Sequence, residues 1–299
     1  RRPACAPHAS RLPRRYSDGV SAPIRPGRFA RVSRELLLIG IGAGDPDWVT
    51  LEAVAAIRRL DVLFVVVKSD DLDDLVEARR EVVRRHRSEP LRTVELRDPP
   101  RPWRTAPDYA AAVARWREQR LEQWDAAVAS ALSEGEVGGF LVWGDPSLYE
   151  STLAIADELV RASEVPIELR VLPGISSVLA LTARHRIPLN RQGKAVQITP
   201  ARLLAEGLPA GVDDAVVMLD GHDTFAAIDP EGLDIYWGAY LGTPDELLVA
   251  GPLAEVRDRI VALRAEAASR KGWMFDTYLL RRRRPGGVSG ESPGGGPLT

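Results

Sequence analysis

The sequence predicts an α/β protein made of two α/β domains with a cleft between them. Three observations predict this fold class. In the first half of the chain, short apolar segments typical of buried strands alternate with longer segments of helical spacing. Glycine-containing turns follow several of these strands, at the edge where open α/β sheets collect ligands. From about residue 173 the pattern changes, which indicates a second α/β domain.

The first domain is predicted to contain a mostly parallel sheet covered by helices. Runs such as DVLFVVV have no polar face, so both faces of their strands must be covered. The predicted strands are 35–41, 61–67, 92–96, 137–143 and 167–172. Apolar residues at helical spacing predict helices at 50–60, 72–86, 109–132 and 148–163. Thr50 is placed to cap the first helix.

The second domain is predicted from a less regular pattern. A helix is expected at 175–183, followed by strands at 195–199, 214–219 and 235–240. A helix at 253–270 and a last strand at 273–280 complete it. The predicted organisation is a basic tail at 1–33, an N-terminal domain at 34–172, a C-terminal domain at 173–281 and a second tail at 282–299.

The two tails carry a charge opposite to that of the body. The net charge of −2 is the sum of +8 in residues 1–34, +3 in residues 281–299 and −13 in residues 35–280. The tails are rich in Arg, Pro, Gly and Ser and have no apolar period, so we expect them to be disordered. For the first tail, binding to an anionic surface, a transit-type leader, an upstream non-native extension and a solvated tail without a role remain open.

Several functional classes are disfavoured by what the sequence lacks. Its single cysteine, Cys5, can form no disulfide within the chain, which fits a reducing compartment. No histidines have metal-ligand spacing, and neither G-x-S-x-G nor G-x-x-x-x-G-K-[ST] occurs. No apolar run reaches the roughly 18 residues of a membrane helix. We therefore expect a cytoplasmic protein that binds no metal, membrane or nucleic acid.

Three turns at predicted strand ends are candidates for one shared binding site. The loop GIGAGDP (40–46) resembles a dinucleotide loop, but Asp45 stands where the third glycine of G-x-G-x-x-G would be. At the second turn, GDPSLYEST (144–152), Asp145 could cap the following helix or face a cationic ligand. The third turn, PGISS (173–177), offers a glycine and two hydroxyl groups at a helix start.

These motifs together resemble the tetrapyrrole (precorrin) methylase family, over residues 34–280. The later segments RHRIPLNRQG, DGHDTF and IYWGAYLGTPDE narrow the resemblance to the deacetylating members of the family, which act in aerobic cobalamin synthesis. The resemblance implies the fold of class III methyltransferases and S-adenosylmethionine as methyl donor, with S-adenosylhomocysteine as product. It also implies methylation of precorrin-5 at C1 with release of acetate, and a homodimer.

The resemblance also implies which residues bind the donor. By the family pattern, the donor lies in the cleft between the domains rather than on the glycine loop. The donor-binding candidates are Gly144, Asp145, Ser147, Ser176, Ser177, Leu219, Asp220, Tyr240 and Leu241. This chain has Leu219-Asp220 where the family often has Tyr-Met.

Asp45, Lys68 and Tyr149 are the catalytic candidates. Asp45 would face the tetrapyrrole, and Lys68 is either a solvated lysine or a cation for a substrate carboxylate or the leaving acetyl oxygen. A basic segment, defined as Arg184, His185, Arg186 and Arg191, could bind a polycarboxylate macrocycle or form surface ion pairs. Three alternatives remain open: an NAD-type oxidoreductase, another precorrin methyltransferase, and a tetrapyrrole-binding protein without catalytic activity.

Overall fold

The fold contains two five-stranded sheets. A computed structural model describes residues 33–67, 73–99, 107–204, 206–272 and 274–283. Both sheets belong to one compact unit. The N-terminal tail and the Gly- and Pro-rich end of the chain lie outside the described residues, so the predictions made for them stay predictions.

The first sheet is entirely parallel, with strand order β3-β2-β4-β1-β5. Its strands are β1 (Arg34–Gly40), β2 (Val62–Val67), β3 (Arg92–Arg97), β4 (Val137–Val142) and β5 (Ile167–Leu172). The helices between them are α1 (Leu51–Arg58), α2 (Asp73–His86), α3 (Tyr109–Ala131) and α4 (Thr152–Ala162). Buried side chains cover both faces of the central strands, as the apolar runs predicted.

The second sheet is mixed, with strand order β6-β7-β10-β8-β9. Its strands are β6 (Gln197–Pro200), β7 (Asp214–Met218), β8 (Leu233–Ala239), β9 (Leu247–Pro252) and β10 (Asp276–Arg282). Its helices are α5 (Ser177–His185), α6 (Thr224–Ala227) and α7 (Leu253–Lys271). Only β6 and β7 pair in parallel, and β10 lies antiparallel between β7 and β8.

Most predicted elements are confirmed, and two differences matter for the site. Strand β9 was not predicted, because its alternation is interrupted by Gly251 and Pro252. The helix predicted from residue 148 begins at Thr152, and residues 148–151 form a turn instead. Thr50 does cap α1, since its hydroxyl accepts a hydrogen bond from the backbone N–H of Ala53. The boundary at 172/173 falls between β5 and α5, and the division there into two domains remains a prediction.

Candidate active site

Three glycine turns meet at the carboxyl edge of the first sheet. The backbones of Gly42 and Gly144 form an isolated bridge, with N···O distances of 3.2 and 2.8 Å. A Cβ atom on Gly174 would lie 2.1 Å from the carbonyl oxygen of Gly144, so this position requires glycine. The structure therefore brings together the three turns that the sequence predicted to share one site.

Asp145 joins two of these turns through its side chain. One carboxylate oxygen, Oδ2, accepts a hydrogen bond from the backbone N–H of Gly174 at 2.9 Å. The other, Oδ1, accepts from the backbone N–H of Ser147 at 2.8 Å and from its hydroxyl. Burial opposes ionisation, but these hydrogen bonds outweigh it and lower the pKa of Asp145. Asp145 does not cap α4, whose N-cap is Ser151.

The glycine loop is occupied by contacts with the turn that follows β8. A Cβ atom on Gly44 would lie 2.5 Å from the carbonyl oxygen of Leu241, and one on Gly242 would lie 2.8 Å from the backbone nitrogen of Asp45. The carboxylate of Asp45 accepts a hydrogen bond from the backbone N–H of Asp47 at 2.9 Å. In a dinucleotide fold the loop opens a helix directly, whereas here α1 begins only at Leu51.

A cavity of about 630 Å³ lies where the carboxyl edge of the first sheet faces the edge of the second sheet. This volume is in the range of small-molecule sites. The first sheet and the turn after β4 contribute one wall, which includes Gly144, Asp145 and Tyr149. Ser176 and Ser177 at the start of α5 also border it. The second wall includes Leu219, Asp220, Tyr240 and Leu241.

Several candidate residues either do not border the cavity or have contacts within the fold. Ser147 and Asp45 are not among the residues that border the cavity. Lys68 lies outside the described residues, directly after the last residue of β2. Ser177 is tied to the second sheet, because its hydroxyl lies 3.1 Å from that of Thr277. Ser176 is the N-cap residue of α5, although its side chain makes no capping hydrogen bond.

Three residues on the cavity have left-handed backbone conformations without being glycine. The φ angles are 52° for Tyr149, 59° for Leu219 and 49° for Tyr240. Such conformations cost of order 1 kcal/mol or more and persist where the surrounding structure enforces them, often at functional sites. The hydroxyl of Tyr149 also donates a hydrogen bond to the carbonyl oxygen of Ile198 in β6 at 3.2 Å, so its side chain links the first wall to the second sheet.

The turn after β7 is held by the carboxylate of Asp220. Oδ1 accepts hydrogen bonds from the backbone N–H of His222 and the hydroxyl of Thr224, both at 3.0 Å. Oδ2 accepts from the backbone N–H of Thr224 at 2.8 Å and from the Tyr278 hydroxyl at 2.7 Å. Asp220 therefore positions the cavity wall through internal hydrogen bonds. Burial next to this carboxylate raises the pKa of Tyr278.

Asp276, at the start of β10, is a cavity residue that the sequence analysis missed. Its side chain is 4% exposed and lies 3.0 Å from Nε of Arg264, which comes from α7. Burial raises its pKa from 3.8 to about 6, although Arg264 and a hydrogen bond from Trp237 favour the charged form. The signal available in the sequence was a carboxylate inside an apolar strand segment, WMFDTYLL.

The basic segment lies away from the cavity. Arg184 pairs with Glu246 at 3.0 Å, and Arg191 pairs with Asp214 at 3.0 Å. The ring of His185 lies 3.0 Å from the carbonyl oxygen of Trp237, and burial lowers its pKa. Neither arginine is among the residues that border the cavity, and the alternative of ion pairing holds for both. The alternative that this segment binds the macrocycle remains a prediction. Arg79 of α2 is the cation that borders the cavity among the described residues.

Comparisons with known proteins decide the family. Residues 35–257 match the family described as Tetrapyrrole (Corrin/Porphyrin) Methylases. The chain belongs to the tetrapyrrole methylase family. It is 43% identical over 251 residues to a precorrin-6A synthase (deacetylating) of Sinorhizobium sp., covering 83% of this chain and 95% of that protein. It is also 27% identical over 198 residues to the cobalt-precorrin-2 C(20)-methyltransferase of Salmonella typhimurium, covering 65% of this chain and 76% of that one.

Solved structures agree with this tetrapyrrole methylase fold. A cobalamin-synthesis-related protein (CobF) of Corynebacterium diphtheriae superposes with a TM-score of 0.73 at 32% identity, covering 84% of this chain and 100% of that one. A uroporphyrin-III C-methyltransferase of Thermus thermophilus, complexed with S-adenosylhomocysteine, superposes with a TM-score of 0.52 at 21% identity. It covers 83% of this chain and 92% of its own, and this likeness shows the shared fold alone. The predicted α/β fold class is confirmed.

Two further properties concern the described part of the chain. Its helices include none with the length and apolar character needed to cross a bilayer. Within the same residues, His, Cys, Asp and Glu side chains form no group of three that could hold a metal ion.

Proposed function

We propose that this chain is an S-adenosylmethionine-dependent methyltransferase of aerobic cobalamin biosynthesis. It methylates precorrin-5 at C1, and one water molecule is consumed as the acetyl group leaves as acetate to give precorrin-6A. The observation that carries the proposal is the 43% identity to a precorrin-6A synthase across 95% of that protein's length. The cavity supports it, since family-matched residues from both sheets converge there.

The residues present fit the proposed methyl donor. The cavity has the volume of a small-molecule site, and backbone-to-backbone contacts among glycines make its first wall rigid. A rigid wall favours transfer, because a methyl group and an attacking carbon held in line avoid much of the entropic cost of meeting. When bound, S-adenosylmethionine would supply an electrophilic methyl group, and S-adenosylhomocysteine would remain.

Tyr149 is the catalytic candidate with the best geometry. It borders the cavity from the end of the turn after β4, and its backbone has a strained left-handed conformation. Asp45 and Lys68 remain proposals: Asp45 is used in a turn, and Lys68 lies outside the described residues.

The substrate is expected to be a polycarboxylate, whereas residues 35–280 carry a net charge of −13. Arg79 borders the cavity from the first-sheet side and is the described residue that we propose for a substrate carboxylate. Its Nε donates a hydrogen bond to the carbonyl oxygen of Leu141 at 3.0 Å, which fixes the guanidinium relative to β4.

The proposal is tested by supplying S-adenosylmethionine and precorrin-5 to the purified protein and measuring precorrin-6A, S-adenosylhomocysteine and acetate. We expect the three products in equal amounts. Methyl transfer without acetate would instead indicate another precorrin methyltransferase. Binding of S-adenosylhomocysteine without turnover would indicate a tetrapyrrole-binding protein that has lost the activity.

The oxidoreductase alternative is separated by calorimetric titration. We expect S-adenosylhomocysteine to bind and NAD not to bind, because the glycine loop is filled by its contacts with Leu241 and Gly242. Micromolar binding of NAD alone would contradict the proposal.

We also propose a cytoplasmic homodimer, and a monomeric mass in light scattering at micromolar concentration would contradict the dimer.

A further inference from the structure

The three aspartates that border the cavity differ in how their oxygens are used. Both oxygens of Asp145 and both of Asp220 already accept hydrogen bonds from backbone N–H groups of the turns around the cavity. The hydrogen bond and the ion pair that the Asp276 side chain makes with other described residues both involve Oδ2, which accepts from Nε1 of Trp237 at 2.7 Å and lies 3.0 Å from Nε of Arg264. Oδ1 of Asp276 is therefore the aspartate oxygen left for a ligand.

The position of this oxygen is fixed by the residues around it. Trp237 lies on β8, next to β10, and Arg264 reaches across from α7. Arg264 also donates to the carbonyl oxygen of Asp220 and pairs with Asp223. A carboxylate held on one oxygen by a hydrogen bond from Trp237 and an ion pair with Arg264 cannot turn freely. The other oxygen therefore has a defined direction, as a specificity-determining group requires.

The wall around Asp276 has the character of a site for a flat, weakly polar group. Its neighbours on this wall include Leu219, Leu241, Met274 and Phe275, which are apolar. Among the described residues that border the cavity from this wall, two are aspartates and none is an arginine or a lysine. The donor's amino-acid end carries a carboxylate that Asp276 and Asp220 would repel as well as an ammonium group that they would attract. Its adenine is instead a flat ring whose exocyclic amine only donates, which fits an apolar wall with one free acceptor.

We propose that Oδ1 of Asp276 accepts a hydrogen bond from the exocyclic amine of the donor's adenine and so determines the base specificity of the enzyme. This inference rests on the proposed function. An ionised carboxylate only accepts hydrogen bonds, so it favours the 6-amino group of adenine and opposes the 6-oxo group of hypoxanthine. A buried acceptor of this kind rejects an analogue that lacks the matching donor.

The selectivity should depend on pH, since burial raises the pKa of Asp276 to about 6. The charged or titratable groups that face it are Arg264 from α7, Asp220 and Asp223 from the segment after β7, and Tyr278 from β10. Below pH 6 the protonated carboxyl can donate a hydrogen bond to a 6-oxo group. The preference for adenine should therefore be larger at pH 7.5 than at pH 5.

The test compares S-adenosylhomocysteine with S-inosylhomocysteine, in which a 6-oxo group replaces the amine, by calorimetric titration of the full chain. At pH 7.5 the wild-type protein should bind the adenosyl compound at least about 10-fold more tightly, because the inosyl compound cannot donate a hydrogen bond from its 6-position to the charged carboxylate. In Asp276→Asn the ratio should fall to within about 3-fold, because an amide can accept from an amine or donate to an oxo group.

The control variant is Asp258→Asn, whose side chain on α7 is 93% exposed and should leave the ratio unchanged. Equal wild-type affinities for the two compounds, or an unchanged ratio in Asp276→Asn, would overturn the assignment of Asp276. The wild-type comparison at two pH values does not depend on the folding of a variant. If the wild-type protein produces precorrin-6A but binds both compounds equally, this inference alone is wrong. If it binds neither compound, the proposed function is wrong as well.

Discussion

The carboxylate of Asp145 accepts a hydrogen bond from the backbone N–H of Gly174 at 2.9 Å and thereby fastens the turn after β4 to the turn after β5. The two strands are separated in the sheet by β1, so this bond spans the edge at which the cavity opens. A side chain that the family pattern assigns to the donor site thus also positions the backbone of that site.

Asp145→Asn should weaken this connection. Asparagine keeps one acceptor oxygen but places an amide NH₂ against a backbone N–H, which leaves a donor unpaired. We expect a loss of about 1–3 kcal/mol in the free energy of unfolding, measured with urea, and weaker binding of S-adenosylhomocysteine. Ser147→Ala is the control, because it removes only a hydroxyl on an exposed residue and should cost under about 1 kcal/mol. Wild-type stability in Asp145→Asn would contradict the positioning role.

Gly174→Ala should be one of the most damaging single-methyl changes in this part of the chain. The new Cβ would lie 2.1 Å from the Gly144 carbonyl oxygen and 2.8 Å from the carbonyl carbon of Gly40, so backbone must move. We expect destabilisation of about 3 kcal/mol, measured by chemical denaturation.

The matched control is Gly221→Ala on the opposite wall, where no atom lies within 4 Å of the added Cβ. It should change stability by under about 1 kcal/mol. Equal effects of the two substitutions would show that the close approach at Gly174 is not needed for folding.

Leu219→Gly should separate stability from donor binding. The left-handed conformation of Leu219 costs about 1–2 kcal/mol for a residue with a side chain, and the residue is 61% exposed. Glycine removes this strain but adds about 0.5–1 kcal/mol of unfolded-state entropy. We expect stability to be unchanged or to rise by up to about 1 kcal/mol in urea unfolding, while affinity for S-adenosylhomocysteine falls. A clear loss of stability would contradict the presence of strain.

Tyr149→Phe should lower kcat without unfolding the protein. Loss of the phenol removes a 3.2 Å hydrogen bond on an exposed residue, which should cost under about 1 kcal/mol in thermal or urea unfolding. A catalytic phenol should contribute about 100-fold to kcat. The measurement is steady-state acetate release, with S-adenosylhomocysteine affinity as the control. An unchanged kcat would restrict Tyr149 to linking the first wall to the second sheet.

The stability of the ligand-free protein should fall as pH rises from about 4 to about 6 through the contribution of Asp276. Its pKa is raised from 3.8 to about 6 by burial, so between these values the native state binds a proton that the unfolded state has lost. Because the native state binds this proton more tightly than the unfolded state, the free energy of unfolding falls as pH rises through this range. The loss is on the order of 3 kcal/mol. Urea titrations at pH 4 to 7 should show this component in the wild type and in Asp258→Asn but not in Asp276→Asn. The same slope in Asp276→Asn would refute it.

Local pattern was sufficient for most of the fold. The apolar runs of β1, β2 and β4 fixed a buried parallel sheet, because strands covered on both faces have no polar side. The three glycine turns were correctly expected to lie together, since carboxyl ends of parallel strands meet at one edge. By contrast, the start of α4 was misplaced, because a left-handed Tyr149 ends the preceding turn and side-chain type alone does not encode that conformation.

The amino-acid sequence by itself determined the fold class, the strand-end turns and the resemblance that led to the family. The tertiary structure decided how the charged residues are used. Arg184 and Arg191 form ion pairs with Glu246 and Asp214 and do not border the cavity, whereas Asp276 borders it from the last strand. Such choices depend on which groups pair and which are desolvated across distant parts of the chain, and these energies are fixed only when the two sheets face each other.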